Sequence, residues 1–343
     1  MGAAVALAPE PLYPGATIAG RFTLRGLIAS GGTSTVWAAT DRDEFFSNVA
    51  LKIMSAKSAG DPIALERIRR EAEIGYSLEG PHFARTITHG VHHGLGFLAQ
   101  ELLYGETLAD RLKRYGRMSP GECMPWLVQL ASGLADAHKR GVIHRDLSPR
   151  NVFFARQGDR EVLKILDFGI AVSPAFANKT ALTEPGKVIG SIHYLAPEQL
   201  QREPVDARTD MWALAVILYR SVLGRRPFEG DGLVPLAAIL REDPPPPSVV
   251  LPGVSPAVDA FFRRALCKDP DGRFPTLDEL VIAFEALAVG MAAPSLQAPR
   301  IPSDAPTRIL ALGDGRREPG RWQIYAAAAV FPIVLVVLAF LAR

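Results

Sequence analysis

The stretch that decides the reading is His144-Arg145-Asp146-Leu147-Ser148-Pro149-Arg150-Asn151, followed by Asp167-Phe168-Gly169 and then by Ala196-Pro197-Glu198. It sets two carboxylates and a carboxamide among short apolar runs. Three further pieces stand upstream. The segment Ile28-Ala29-Ser30-Gly31-Gly32-Thr33-Ser34-Thr35-Val36 is a turn of small residues between strand-like runs. Such a loop lets backbone N–H groups approach phosphates, and an ordinary flexible turn has the same composition. Lys52 ends the apolar run Val49-Ala50-Leu51. A lysine there either snorkels to the surface or points into a cleft to meet phosphate. Glu71 lies in the next helix-like segment and is either solvated or the partner of Lys52.

Working outward, the periodicity predicts strands over Phe22–Ile28, Val36–Ala39, Asn48–Met54, Thr86–Gly90 and Gly96–Leu103, with one helix over Asp61–Leu78. Beyond Thr107 the texture turns helical: Leu108–Tyr115, Cys123–Arg140, Thr209–Leu223, Pro235–Leu240, Pro256–Cys267 and Leu277–Ala288. A strand-rich front and a helix-rich back make two packed lobes with a cleft between them.

In this order the motifs resemble the protein-kinase family. The match continues with Asp210 ahead of Met211-Trp212, and with Lys268-Asp269-Pro270 leading to Arg273-Phe274. It covers about residues 21–289, and its closest flavour is the bacterial, eukaryotic-like (Hanks-type) serine/threonine kinases. The resemblance implies an α+β fold with a β-rich N-lobe and an α-helical C-lobe, ATP as phosphoryl donor, and Mg²⁺ or Mn²⁺. It also assigns roles. Lys52 would hold the α- and β-phosphates, fixed by Glu71, while Asn151 and Asp167 would hold the metal ions. Asp146 would orient the acceptor hydroxyl and take its proton. Ile28 to Val36 would cover the nucleotide, with Val36 and Ala50 on the adenine. The hinge would be Glu101-Leu102-Leu103, behind Gln100. His144, Arg145, Glu198, Asp210 and Arg273 would be structural, Glu198 and Arg273 as a buried ion pair and Arg145 as a partner for activation-loop phosphate.

The sequence departs from the family pattern at several places. Ala29 and Ser34 replace two of the three glycines of the phosphate loop. Ser148 stands where serine/threonine kinases usually carry a lysine that neutralises the γ-phosphate, and Arg150 is the candidate to supply that charge. Pro149 and Gly190-Ser191 favour serine/threonine over tyrosine specificity. Gly75, four residues after Glu71, is expected to leave a gap inside the N-lobe and a mobile helix, because glycine also costs about 1 kcal/mol of helix stability. Ala171–Ile189 would be the activation loop, with Thr180 and Thr183 as phosphoacceptors.

Composition limits the alternatives. In 343 residues the formal charge is +2, which argues against a protein built to neutralise nucleic-acid phosphates. Two cysteines, Cys123 and Cys267, exclude a disulfide scaffold or a cysteine-based zinc site and fit a reducing compartment. His82, His89, His92 and His93 are expected to be solvated loop residues, and Pro244–Pro247 a rigid connector between helices. Residues 1–20 read as a leader without the basic region of a signal peptide. Residues 290–321 read as a proline-rich juxtamembrane linker.

Trp322–Ala342 carries no charge and at helical rise spans about 30 Å, the thickness of a bilayer core. Arg316, Arg317 and Arg321 precede it and Arg343 alone follows, so the positive-inside rule places residues 21–289 in the cytoplasm. Nothing sizeable is expected beyond the span. The expectation is a single-pass, membrane-anchored kinase acting on protein substrates. Self-association of anchored copies would favour trans-autophosphorylation. The alternatives are a pseudokinase scaffold, kept in view by Ser148 and the altered loop, and a small-molecule kinase, disfavoured by Ala196-Pro197-Glu198, Asp210 and Arg273.

Overall fold

The computed structural model describes residues 12–43, 48–168 and 192–290. Six strands, β1 (Thr17–Ile18), β2 (Phe22–Ser30), β3 (Ser34–Asp41), β4 (Val49–Met54), β5 (Thr86–His92) and β6 (Leu95–Glu101), form one antiparallel sheet in the order β1-β2-β3-β4-β6-β5. Helix α1 (Pro62–Ser77) crosses between β4 and β5. It starts where Asp61 caps the Ile63 amide, with Pro62 preset for the first turn.

The period-2 alternation of β4 decides what each face carries. Val49, Leu51 and Ile53 join Phe22, Leu24, Trp37 and Phe97 in one core. On the other face Met54 packs with Ala64, Ile68, Ala72 and Leu98. Lys52 and Ala50 share the parity of Met54, so the strand itself turns Lys52 toward the α1 side.

The second half holds α2 (Leu108–Tyr115), α3 (Pro120–Lys139), α4 (Pro197–Gln201), α5 (Ala207–Leu223), α6 (Val234–Arg241), α7 (Pro247–Val250), α8 (Pro256–Ala265) and α9 (Leu277–Gly290). Its axis is α5, apolar all round from Met211 to Leu218 and buried along its length, as such a helix must be. Helix α3 begins at Pro120 rather than the expected Cys123, because Ser119 and Glu122 close a capping box there.

The helical texture expected beyond Thr107 is interrupted by a three-stranded sheet. It consists of β7 (Gly105–Thr107), β8 (Val152–Gln157) and β9 (Arg160–Ile165). The β8–β9 hairpin turns on Gly158-Asp159, with Gly158 at φ +61°. A Gly-Asp pair between apolar runs is a hairpin signal. This hairpin positions the site, since it runs from Asn151 at one end to Asp167 at the other. Leu102 and Leu103 lie past the end of β6. Pro244 to Pro247 connect α6 to α8 through α7, and Tyr219 donates a hydrogen bond to the Pro245 carbonyl (2.8 Å).

No helix among the described residues is long and apolar enough to cross a membrane. The span expected at Trp322–Ala342, the linker before it, most of the leader, and Thr180 and Thr183 with their loop lie outside the described residues.

Candidate active site

Lys52 Nζ lies 2.5 Å from Glu71 Oε1 and 3.0 Å from Asp167 Oδ1. Strand β4, helix α1 and the residues after β9 thus meet at one ammonium. Burial pushes Lys52 toward the neutral form, but Asp167 and Glu71 together outweigh it and hold its pKa above the ordinary lysine value. The Lys52 charge in turn holds Asp167 below the usual carboxylate range, against burial. Glu71 moves the other way: burial raises it, and the attraction of Lys52 only partly offsets that. Asp167 therefore stands as the firm anion of the cluster, ready to face a cation.

The loop from His144 to Asn151 is built around Asp210, which is 1% exposed on α5. Its carboxylate accepts the backbone amides of His144 (2.9 Å) and Arg145 (2.9 Å), and Nε2 of His138 lies 2.7 Å away. Arg145 is held at φ +64° and Asp167 at φ +48°, a region non-glycine residues adopt only when the surroundings enforce it. Asn151 Nδ2 donates to the Asp146 carbonyl (2.8 Å), and the Leu166 amide donates to the Asn151 carbonyl (2.8 Å). Asp146, Asn151 and Asp167 are tied together through these backbone groups.

That bond leaves the Asn151 carboxamide oxygen available as an acceptor. Oxygen donors in small number suit Mg²⁺, which keeps much of its own hydration. Among the described residues no three His, Cys, Asp or Glu side chains cluster as a metal cage. The four histidines singled out in the sequence do not converge on a metal. Three of them are not solvated loop residues, however: His82 Nδ1 lies 3.0 Å from the Leu163 carbonyl with its ring half-buried, and His89 and His92 are half-buried on β5.

The other expected residues fall as follows. Gly31 closes the β2–β3 turn through its amide to the Ser34 carbonyl (2.9 Å), while Ala29 and Ser34 lie in strands without positive φ. Replacing glycine at those two positions thus carries no backbone strain. Ile28 is exposed, and Val36 and Ala50 are half-buried, as an adenine-facing surface requires. The Glu101 side chain turns away from that surface. Its Oε1 accepts the Arg85 amide (3.0 Å) and Lys164 Nζ (2.7 Å), so only its backbone can serve a nucleotide.

Ser148 is 4% exposed and Arg150 is exposed. Of the two, only Arg150 is charged and open to solvent. The Arg145 guanidinium makes no hydrogen bond or ion pair among the described residues. Glu198 and Arg273 form the expected buried pair, with contacts of 2.9 and 2.8 Å.

At Gly75 the Cβ position is taken by β5, since a Cβ there would meet Thr86 Oγ1 at 2.0 Å, but a gap does lie beside it: Gly75 lines a cavity of about 520 Å³ with Leu78, Phe83 and Lys164. Four residues that sequence reading passed over also shape the site. Phe83 and Lys164 back it, His138 braces Asp210, and Gln199 donates to the Arg145 carbonyl (2.8 Å). None carries a local signal, since each acts across 54 or more residues of chain.

A family model described as the protein kinase domain matches residues 22–282. A probable serine/threonine-protein kinase of Streptomyces coelicolor is 34% identical over 278 residues, covering 80% of this chain and 41% of that protein. The serine/threonine-protein kinase PknA of Mycobacterium tuberculosis is 33% identical over 321 residues, 90% of this chain and 72% of PknA. Among solved structures, the PknI kinase domain of M. tuberculosis is 27% identical with a TM-score of 0.62, covering 81% of this chain and all of that one. The chain thus spans under half the length of one relative and nearly three quarters of another.

Proposed function

The chain belongs to the protein kinase family, its domain being an ATP-dependent serine/threonine kinase domain, and from that premise we propose that it is an active, membrane-anchored kinase that phosphorylates proteins, its own activation loop among them. The observation that carries the activity is the convergence of Lys52, Glu71 and Asp167 on one ammonium, beside the Asp146–Asn151 loop.

Phosphoryl transfer asks a protein for positioning and charge neutralisation more than for covalent chemistry. Lys52 is held by Glu71 so that its charge meets the phosphates of ATP. Asn151 and Asp167 would hold Mg²⁺, which when bound neutralises charge on the phosphate oxygens. Asp146 accepts the hydrogen bond of the acceptor Ser or Thr hydroxyl. As the hydroxyl oxygen bonds to the γ-phosphorus, the bond to the β–γ bridging oxygen breaks and ADP leaves. The hydroxyl proton passes toward Asp146. Arg150, exposed four residues after Asp146, supplies the positive charge that Ser148 lacks.

The noncatalytic alternative finds no support, since Lys52, Glu71 and Asp167 meet at one ammonium and Asn151 is bound to the Asp146 carbonyl. The anchor is argued from sequence: Trp322–Ala342 has the length and composition of a membrane helix, with arginines on the side of the kinase domain. The same reading places that domain in the cytoplasm.

The test is to reconstitute the full chain in lipid vesicles, add γ-labelled ATP and Mg²⁺, and analyse the phosphoamino acids and their positions. Phosphothreonine at Thr180 or Thr183, with the chain floating with the vesicles, is expected. Label on tyrosine alone would overturn the specificity. A chain that floats equally well without residues 322–342 would overturn the anchor.

A further inference from the structure

A hydroxyl reaches Asp146 as part of a peptide, and the charges beside Asp146 decide which peptides are welcome. The short turn Ile192–Tyr194 precedes α4, and Gln199 of α4 ties it to the catalytic loop. Gln199 Oε1 accepts the Ala196 amide (2.9 Å), and its Nε2 donates to the Arg145 carbonyl (2.8 Å), one residue before Asp146. The turn is also tied to the segment that leaves α5. His193 is buried, and its Nδ1 lies 3.1 Å from the Phe228 carbonyl. Tyr194, which follows, is thus fixed from both sides.

Three arginines converge on Tyr194. Burial raises the pKa of its hydroxyl, against the positive charges of Arg226, Arg220 and Arg150, which all act on it. They come from different places: Arg150 from the catalytic loop, Arg220 from the last turn of α5, and Arg226 from just past the Gly224 cap of that helix.

None of the three has an anionic partner among the described residues. Arg150 is exposed, and Arg226 is half-buried with neither a hydrogen bond nor an ion pair there. Arg220 donates to a neutral group, the Gly116 carbonyl (2.8 Å). The acids of the neighbouring segments do not supply the missing charge. Glu229 and Asp231 act on His193 rather than Tyr194, and Glu229 is paired with Arg225 (3.1 Å). On the α2 side, Glu106 is held by both Arg111 (3.0 Å) and Arg114 (2.6 Å). Clustered like charges repel one another, and a partly buried cation without a partner is costly, so the cluster is best satisfied by an incoming anion.

We propose that Arg220 and Arg226, together with Arg150, select acidic peptides, in which carboxylate side chains flank the acceptor Ser or Thr; this rests on the kinase reading above. In an extended peptide, residues one to three places from the acceptor lie about 3–10 Å along the chain, so flanking side chains are the ones that meet a cluster beside Asp146. Arg220 and Arg226 act on which peptide is chosen, not on the transfer step.

The test measures kcat/KM of the full chain in lipid vesicles on three peptides. Each has one threonine, and the three residues on either side are all Glu, all Gln or all Lys. The Glu peptide should exceed the Gln peptide by at least about tenfold at low salt, and the Lys peptide should be the poorest. Salt at about 0.5 M should shrink the Glu-over-Gln ratio to about threefold, because the attraction is screened. In the double variant Arg220→Gln, Arg226→Gln the ratio should fall to within about threefold, with the Gln peptide itself changed by less than about threefold. Arg263→Gln, which removes an exposed arginine of α8, should keep the full preference. If the loss of the Gly116 bond disturbs folding, Arg226→Gln alone carries the test, with the ratio cut about threefold.

Equal use of the Glu and Gln peptides by the wild type, or a preference that survives in the double variant, would overturn the assignment. So would an equal loss on all three peptides, which would mean that the arginines serve the protein's own structure. A wild-type chain that transfers phosphate to none of them would overturn the kinase reading instead. Fluorescence anisotropy of the labelled Glu and Gln peptides would then decide the arginine assignment, with tighter binding of the Glu peptide supporting it and equal binding refuting it.

Discussion

Replacing Glu198 by alanine should destabilise the C-lobe severely, and the structure gives the size. The Glu198 and Arg273 side chains are 3% and 1% exposed, so water cannot compensate for a lost partner. Glu198 accepts two guanidinium N–H groups, at 2.9 and 2.8 Å, and the Thr209 hydroxyl at 2.8 Å. Its removal leaves Arg273 with the carbonyls of Cys267, Arg208 and Lys268, three dipoles in place of an anion. Breaking such a buried pair from one side costs about 3–5 kcal/mol. For a domain of this size about 2–4 °C of Tm goes with each kcal/mol, so Glu198→Ala should unfold roughly 6–20 °C lower. The assay is thermal unfolding followed by circular dichroism on the full chain in detergent. A double variant, Glu198→Met with Arg273→Met, should recover stability above either single change, because most of the cost is the stranded charge. A single-variant loss below about 1 kcal/mol, or a double variant no better than the worse single one, would refute this reasoning.

Arg150→Ala should slow turnover by at least about tenfold while ATP affinity, read by calorimetry, stays within about threefold; an unchanged kcat would remove Arg150 from the mechanism. Gly75→Ala should lower stability by about 1–3 kcal/mol through its collision with Thr86, and Thr86→Ala in the same chain should relieve it. Thr86→Val alone should cost under about 1 kcal/mol, because Thr86 Oγ1 is buried without a hydrogen-bond partner. Acid should destabilise the protein in a defined window. Burial works to raise the Glu198 pKa, but Arg273 outweighs it and holds the value below the ordinary 4.5. Its contribution is therefore fully present above about 4.5 and is lost as pH falls through the lowered value. Denaturant midpoints measured from pH 6 down to about pH 3 should fall less steeply in Glu198→Gln than in the wild type.

The N-lobe was legible because its strands alternate and its helix carries its own start signal at Asp61-Pro62. Along β4, parity alone turned Lys52 to the face it shares with Met54. The C-lobe helices were legible by periodicity, and α5 by an apolar run too long for one face. The β8–β9 hairpin was lost in that helical texture, although Gly158-Asp159 marks its turn. Helix α3 was entered three residues late because its start lies in a capping box, not in its apolar pattern. Within the site, Lys52, Glu71 and Asp167 meet, and Glu198 pairs with Arg273, as their motifs implied. The histidine at 82 was misjudged because its partner, the Leu163 carbonyl, lies far away in sequence, and at Gly75 the Cβ position is taken by Thr86 of β5 while a cavity remains beside it. No spacing within the chain encodes such contacts.

The central claim is that the assembled Lys52–Glu71–Asp167 cluster and the Asp146 loop transfer phosphate. The most direct measurement is transfer from γ-labelled ATP to an added protein substrate in the presence of Mg²⁺, by the wild type and by Asp146→Asn, with ATP binding determined for both. The account predicts label on Ser or Thr with the wild type, a loss of at least about 10²-fold in Asp146→Asn, and equal ATP binding. Equal labelling by the two proteins, or ATP bound by the wild type without any transfer, would contradict it.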